Sequence, residues 1–408
     1  MLCQMTLGFV VVMMSSIFVY IVLQDDLANL FMNSPLFCLS FGFLVNYPTY
    51  PFMGIFVCDY ISGLVSFCLV HLISFGLIMK TSCDKTNCFM TSFFLFMCFV
   101  SVNMNSSVLF MLFSVSSSSV FLMSSFSLCD KVLLDKVFLS YSLLLVSFFT
   151  CLHFMKEASS VWFSFGSIYK SFNTSFIGFI SVVCLLSSCF IYPFNSDFYF
   201  VVLKNWRSMT LVNAMFILSS YTLIRMSLSY SFCMNSLMFD FFLFLTLIGT
   251  MRLCFYCVCV LNLFVNLSMS LIFLGVLSSS SYGIMSAICL IKAFSVLSLA
   301  MFFLVSMNKS TMPFLPCASA KKLLLAFIFF FMISIIKSVL YLVFGMIPVF
   351  KSVPGLLCVL FTFYLFVLIL LLLSKMCFLL KAKVSADFRL VMFIYETTLF
   401  CLVFWFYN

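Results

Sequence analysis

The chain has 408 residues, 65% of them hydrophobic and only 8% charged. A soluble domain carries about 25% charged residues, so composition excludes a water-soluble fold and predicts an all-α polytopic membrane protein. The net charge of +9 is spread over short loops and reads as positive-inside anchoring rather than a nucleic-acid surface.

A span needs about 20 apolar residues. The N-terminal run "MLCQMTLGFVVVMMSSIFVYIVL" lacks a basic n-region and an Arg-rich amphipathic stretch, so it reads as a retained first span at 5–23. Further spans are predicted at 29–47, 54–79, 88–102, 105–124, 133–154, 174–192, 209–229, 236–250, 253–277, 284–306, 321–346, 354–380 and 388–407. About 14 helices thus fill residues 1–408 as a single transmembrane domain. The longest polar gaps, "KTSCDKTN" (80–87) and "MKEASS" (155–160), are too short to fold outside a membrane.

Two places break the pattern. The seventh span runs into "CFIYPFNSDFYF", where Pro193 removes a backbone donor and Asn195, Ser196 and Asp197 follow. This reads either as a broken helix lining a cavity or as a plain loop between spans. The second break is "FGMIPVFKSVPG", with Pro348, Pro354 and two glycines.

A charge at the bilayer centre costs at least about 2.5–3.5 kcal/mol. Lys292, in "SAICLIKAFSVLSLAMFFLV", and Lys337, in "FIFFFMISIIKSVLYLVFG", lie far from obvious span ends. Both are expected to face a bundle interior or a hydrated path. A lysine stem reaches only about 6 Å, too short to carry an ammonium from mid-span to a headgroup layer about 15 Å away. Asp59, His71, Asp240, Arg252, Lys375 and Glu396 lie nearer ends or polar neighbours; for Lys375, Arg252 and Asp240 an interfacial anchor or snorkelling side chain is the preferred reading.

Other classes are poorly served. Two histidines, His71 and His153, are too few for a haem-bearing cytochrome or a copper–haem oxidase. Most of the 20 cysteines sit in apolar runs, where they act as small hydrophobes. Cys254 and Cys257 form one C-x-x-C, but a second pair at ligand spacing is missing. No G-x-G-x-x-G or cysteine ladder would hold NADH, flavin or an iron–sulfur cluster, so no cofactor is expected.

Four stretches, taken in order, carry a resemblance. In "SMSLIFLGVLSSSSYGIMSAICLIKAFSVLSLAMFFLV" (268–305), Met269, Ser270, Leu271 and Gly275, then Gly283, Ser298 and the 301–305 run, stand at motif positions. "CDYISGLVSFCLVHLISFGLIM" contributes Asp59 and Ser62 of a D-x-x-S opening. "PFNSDFYF…YTLIRM" contributes Pro193, Phe194, Tyr221, Leu223, Ile224 and Arg225, and "DFRLVMFIYETTLFCLVFWFYN" contributes Asp387, Arg389 and Trp405. This order resembles the NADH dehydrogenase subunit 4 family, the antiporter-like membrane-arm chain of mitochondrial respiratory complex I.

The resemblance implies an antiporter-like fold with inverted repeats and a broken seventh helix. It implies a mitochondrial inner-membrane subunit that contributes to proton translocation coupled to NADH oxidation and quinone reduction, with no redox chemistry of its own. Its partners would be other complex I membrane-arm subunits and membrane lipids, with neither nucleic acid nor a soluble substrate. Phe, Cys, Ser, Val and Met abundance suggests T-rich codons, and with the lack of a transit peptide an organelle-encoded chain.

The departures are substantial. The ionisable groups of the family's proton machinery fall by spacing near Ser114, Ser188, Ile217 and Leu356, none of which ionises. Asn195 stands after Pro-Phe where the family has His, and Ser268 and Ala293 stand at two more histidine places. The candidate proton-path residues are therefore Lys292, Lys337 and Asp59, and the helix-break residues are Pro193, Asn195, Asp197 and Pro348. Lys292 is either a substitute carrier in a rewired path or a lysine paired with a neighbouring subunit's acid. A structural subunit that has lost its own path is the alternative; an unrelated secondary transporter or multispan receptor is a third reading. Glu396 and Trp405 belong to the expected closing span, with Trp405 near an interface.

Overall fold

The computed structural model describes residues 60–78, 85–104, 206–230, 260–278, 280–307 and 333–346, with scattered positions between 112 and 149 and at 367. The described residues are almost entirely helical. They form α1 (Tyr60–Ile78), α2 (Lys85–Val102), α3 (Trp206–Tyr230), α4 (Val260–Leu277), α5 (Ser281–Met307) and α6 (Ile333–Met346). Five of these fall on predicted spans within several residues, and α6 is the closing part of the span predicted at 321–346. The expected breaks at Pro193–Asp197 and Pro348, the position Asp59, and the closing span with Glu396 and Trp405 lie outside the described residues.

Helix α3 is central, packing on α1, α2, α4 and α5; α1 also meets α2 and α5. Leu64, Val65, Cys68, Leu69 and Leu72 of α1, Phe94 and Cys98 of α2, and Ala214, Ile217 and Tyr221 of α3 are among the buried side chains between them. α1 and α5 are apolar around nearly their whole circumference, as expected of helices enclosed on all sides. Within α5 the stretch Ser281–Ser298 is long and apolar enough to cross a membrane, the one such stretch among the described residues.

Buried serines and threonines would cost stability if their hydroxyls found no acceptor. Several fold back onto their own helices. Ser66 Oγ donates to the Ser62 carbonyl at 2.7 Å, Ser101 to Cys98 at 2.7 Å, Thr222 to Ser219 at 2.6 Å and Ser338 to Ile335 at 2.6 Å. A helix can therefore be serine-rich and still sit among apolar neighbours.

Helices α4 and α5 form a hairpin through Ser278 and Ser280. Ser280 caps α5: its Oγ accepts the Gly283 N–H at 3.1 Å, and its carbonyl accepts the Ile284 N–H at 3.1 Å. Ser278 closes α4 through its N–H on the Leu274 carbonyl at 3.1 Å and its Oγ on the Gly275 carbonyl at 2.7 Å. The two helices meet backbone to backbone here. A Cβ on Gly275 would lie 2.7 Å from the Gly283 carbonyl oxygen, and one on Gly283 would overlap Ser278 Oγ and the Gly275 carbonyl. α6 joins the same seam, since a Cβ on Gly345 would lie 2.8 Å from the Gly283 nitrogen. Three glycines thus set the separation of three helices.

Candidate functional site

The polar groups of α5 recur every third residue: Ser286, Cys289, Lys292, Ser295 and Ser298. Residues three apart are neighbours on a helix surface, so these five form a continuous seam winding along α5 for about 18 Å. Lys292 is its midpoint. Ser286, Lys292, Ser295 and Ser298 are all buried, and the Lys292 side chain keeps only 3% of its surface. This is the burial expected of a mid-span lysine too short to reach a headgroup layer.

Three elements meet around it. From α1, the Cys68 thiol lies beside Ser295 and within electrostatic reach of Lys292. On α5 itself, Cys289 lies within the same reach, one turn toward the hairpin. From α3, Asn213 Oδ1 accepts a hydrogen bond from Ser298 Oγ at 3.0 Å. Ser295 Oγ donates to the Lys292 carbonyl at 2.8 Å, continuing the row of hydroxyls past the ammonium. Cys68 is a free thiol, as are the buried Cys98 and the partly buried Cys289.

The two ends of the seam share a property. Ser286 Oγ at one end and Asn213 Nδ2 at the other are buried with no hydrogen-bond partner among the described residues. Buried polar atoms normally have protein or water partners, so both ends are suited to receive water.

A second buried cation has a separate explanation. Arg225 is 6% exposed, and its Nε donates to the Tyr221 hydroxyl at 2.7 Å while its guanidinium lies 5.2 Å from the centre of the same ring. The Tyr221 hydroxyl donates to the Val102 carbonyl at 2.7 Å. Val102 ends α2, where the last carbonyls lack intrahelical partners and the helix dipole is negative. Asn103 Nδ2 caps the Phe99 carbonyl at 2.9 Å at the same end. Tyr221 and Arg225 thus clamp α2 to α3, supplying a donor and a positive charge where α2 needs both.

Lys337, expected to face a bundle interior or a hydrated path, is exposed on the side of α6 away from the buried Ile335, Ser338, Val339, Leu342 and Met346. His71 is buried, at 1% exposure, on the packed side of α1. Of the candidate path residues, Lys292 is buried and Lys337 is on the surface, and Asp59 lies outside the described residues. The i, i+3 spacing on α5 was visible in "SAICLIKAFSVLS", but an apolar background on every face hides which polar side chains share an interface. No protein-family model matches the chain, and no curated protein matches it.

Proposed function

We propose that the chain is a multi-pass, membrane-arm subunit of respiratory NADH:ubiquinone oxidoreductase in the mitochondrial inner membrane. It would have about 14 helices in an antiporter-like arrangement with a broken seventh helix. It contributes to proton translocation driven by redox chemistry in other subunits. The observation that carries the reading is the polar seam with a buried ammonium at its centre, Ser286–Cys289–Lys292–Ser295–Ser298, in an otherwise apolar helix. An ionisable group inside a membrane-spanning helix marks an ion or proton path by default. Lys292 is the group that holds and releases the proton. The hydroxyls of Ser295, Ser298 and Ser286, with Asn213, order water on either side of it. The quoted motif residues Ser62, Tyr221, Arg225, Met269, Ser270 and Ser298 are all buried, which supports motifs kept for packing between helices.

One observation favours a structural subunit that keeps this arrangement without conducting. Two positions where the resemblance expects ionisable groups are the buried Ser114 and Ile217, and the described residues include no Asp or Glu. The membership itself is tested by electrophoresis of native membranes. The chain should comigrate with NADH dehydrogenase activity; migration apart from that activity removes the proposal.

A further inference from the structure

The outward stripe of α5 ends at a thiol. Tyr282 and Met285 are 55% and 47% exposed, and Cys289, one turn further, is partly exposed. The next position in that stripe is Lys292, which is buried. Cys68 and Cys98, the other free thiols among the described residues, are buried on α1 and α2. In the membrane reading, a reagent dissolved in the bilayer meets Cys289 before either of them.

Helix geometry sets an amine behind this thiol. Cys289 and Lys292 are three residues apart on α5, a spacing that puts Cβ atoms about 5–6 Å from one another. Side chains on a helix lean toward its N-terminus. The Lys292 stem, about 6 Å long, therefore runs back over the turn that carries Cys289. The two groups lie within electrostatic reach of each other. A thiol adds to activated alkenes and an amine condenses with carbonyls, so the pair is a two-headed nucleophile. The buried Ile288, Leu290, Ile291 and Ala293 surround it with apolar surface, which protects an imine from hydrolysis.

We infer that Cys289 and Lys292 form a covalent capture site for α,β-unsaturated aldehydes carried in the bilayer. The Cys289 Sγ bonds to the β-carbon of the aldehyde. The electron pair of the alkene moves to the α-carbon, which takes up one proton in place of the one the thiol gives up. The unprotonated Lys292 Nζ then adds to the aldehyde carbon; a C=N bond forms and the oxygen leaves as water. Neither step consumes an oxidant or a reductant. Three carbons bridge sulfur to nitrogen, a span that suits neighbours on adjacent turns. The inference rests on the membrane reading above, and its second step on Lys292 releasing its proton. The bridge ties up Lys292 and so halts it as a carrier.

The test treats the full-length chain in phosphatidylcholine vesicles with nonenal, a membrane-soluble unsaturated aldehyde. Borohydride then fixes imines, and peptide mass spectrometry locates them. In the unaltered chain Cys289 and Lys292 should share one aldehyde with one water lost, and Cys68 and Cys98 should carry none. Lys292→Arg should retain the Cys289 adduct with its oxygen still present, as an alcohol after reduction. Cys289→Ser should lower modification of Lys292 at least about ten-fold, a modest share of the advantage that tethering a reactant gives. Preferential reaction at Cys68 or Cys98 overturns the site. So does an adduct on Cys289 of the unaltered chain that keeps its oxygen, or an imine on Lys337, which also lies within reach of Cys289. Extraction of the chain by alkaline carbonate overturns the membrane reading and the site together. In the assembled complex, a complete bridge that leaves proton uptake per NADH unchanged removes the carrier role of Lys292 and leaves the site standing.

Discussion

Replacing Tyr221 by Phe removes a single oxygen that joins two helices. That hydroxyl donates to the Val102 carbonyl and accepts from Arg225 Nε, each at 2.7 Å, at a side chain with 0% exposure. Phenylalanine keeps the ring and its stacking on the guanidinium, so the packing term is nearly unchanged. The loss is polar. A buried carbonyl left without its donor costs about 1–3 kcal/mol, and a charged donor losing an acceptor costs at least as much. The expected destabilisation is therefore about 2–4 kcal/mol, placing it among the larger effects of single substitutions. Titration of the micelle-held chain with sodium dodecyl sulfate, followed by helical circular dichroism, measures it as a shift in the unfolding midpoint. The double variant Tyr221→Phe with Arg225→Met should cost less than the sum of the two single changes, because it removes the charge along with its acceptor. A shift corresponding to less than about 0.5 kcal/mol, or strict additivity in the double variant, would refute the clamp.

Gly283→Ala should destabilise the α4–α5 hairpin by about 1–3 kcal/mol in the same titration, and Ser278→Gly should not rescue it, because the Gly275 carbonyl remains in the way. Ser298→Ala removes the hydrogen bond to Asn213 and should cost about 1 kcal/mol, whereas Leu340→Ala, at a half-exposed position, should change stability far less. In the native-gel assay, Lys337→Gln should leave comigration with NADH dehydrogenase activity intact, since its side chain is exposed; loss of comigration would mean that a protein partner uses it.

Among the described residues, helix positions were legible because a run of apolar residues of membrane length has few other solutions. The burial of Lys292 followed from the reach of its side chain. The orientation of helices about their own axes was not legible. In a soluble protein the outer face is polar and the sequence period reveals it, but α6 is apolar both where Ile335 and Leu342 are buried and where Ile333 and Leu340 are exposed. The face of α6 that Lys337 occupies could therefore not be read from its depth in the span. The Tyr221–Arg225 clamp was hidden for another reason: its acceptor is a backbone carbonyl 119 residues earlier in the chain, and no side-chain pattern announces which carbonyl at a helix end still needs a donor. The hairpin glycines were visible as motif positions, yet only the approach of three backbones explains them.

Proton translocation by the assembled complex is the measurement that bears most directly on the proposed role of Lys292 as a proton carrier in the α5 seam. Vesicles containing the complex with Lys292→Met should take up fewer protons per NADH oxidised, with the amount of assembled complex on a native gel unchanged. Ser295→Ala, which removes the next hydroxyl in the seam, should lower the ratio less. A complex carrying Lys292→Met that assembles fully and translocates protons at the unaltered ratio would contradict the account; one that fails to assemble would show the lysine to be structural.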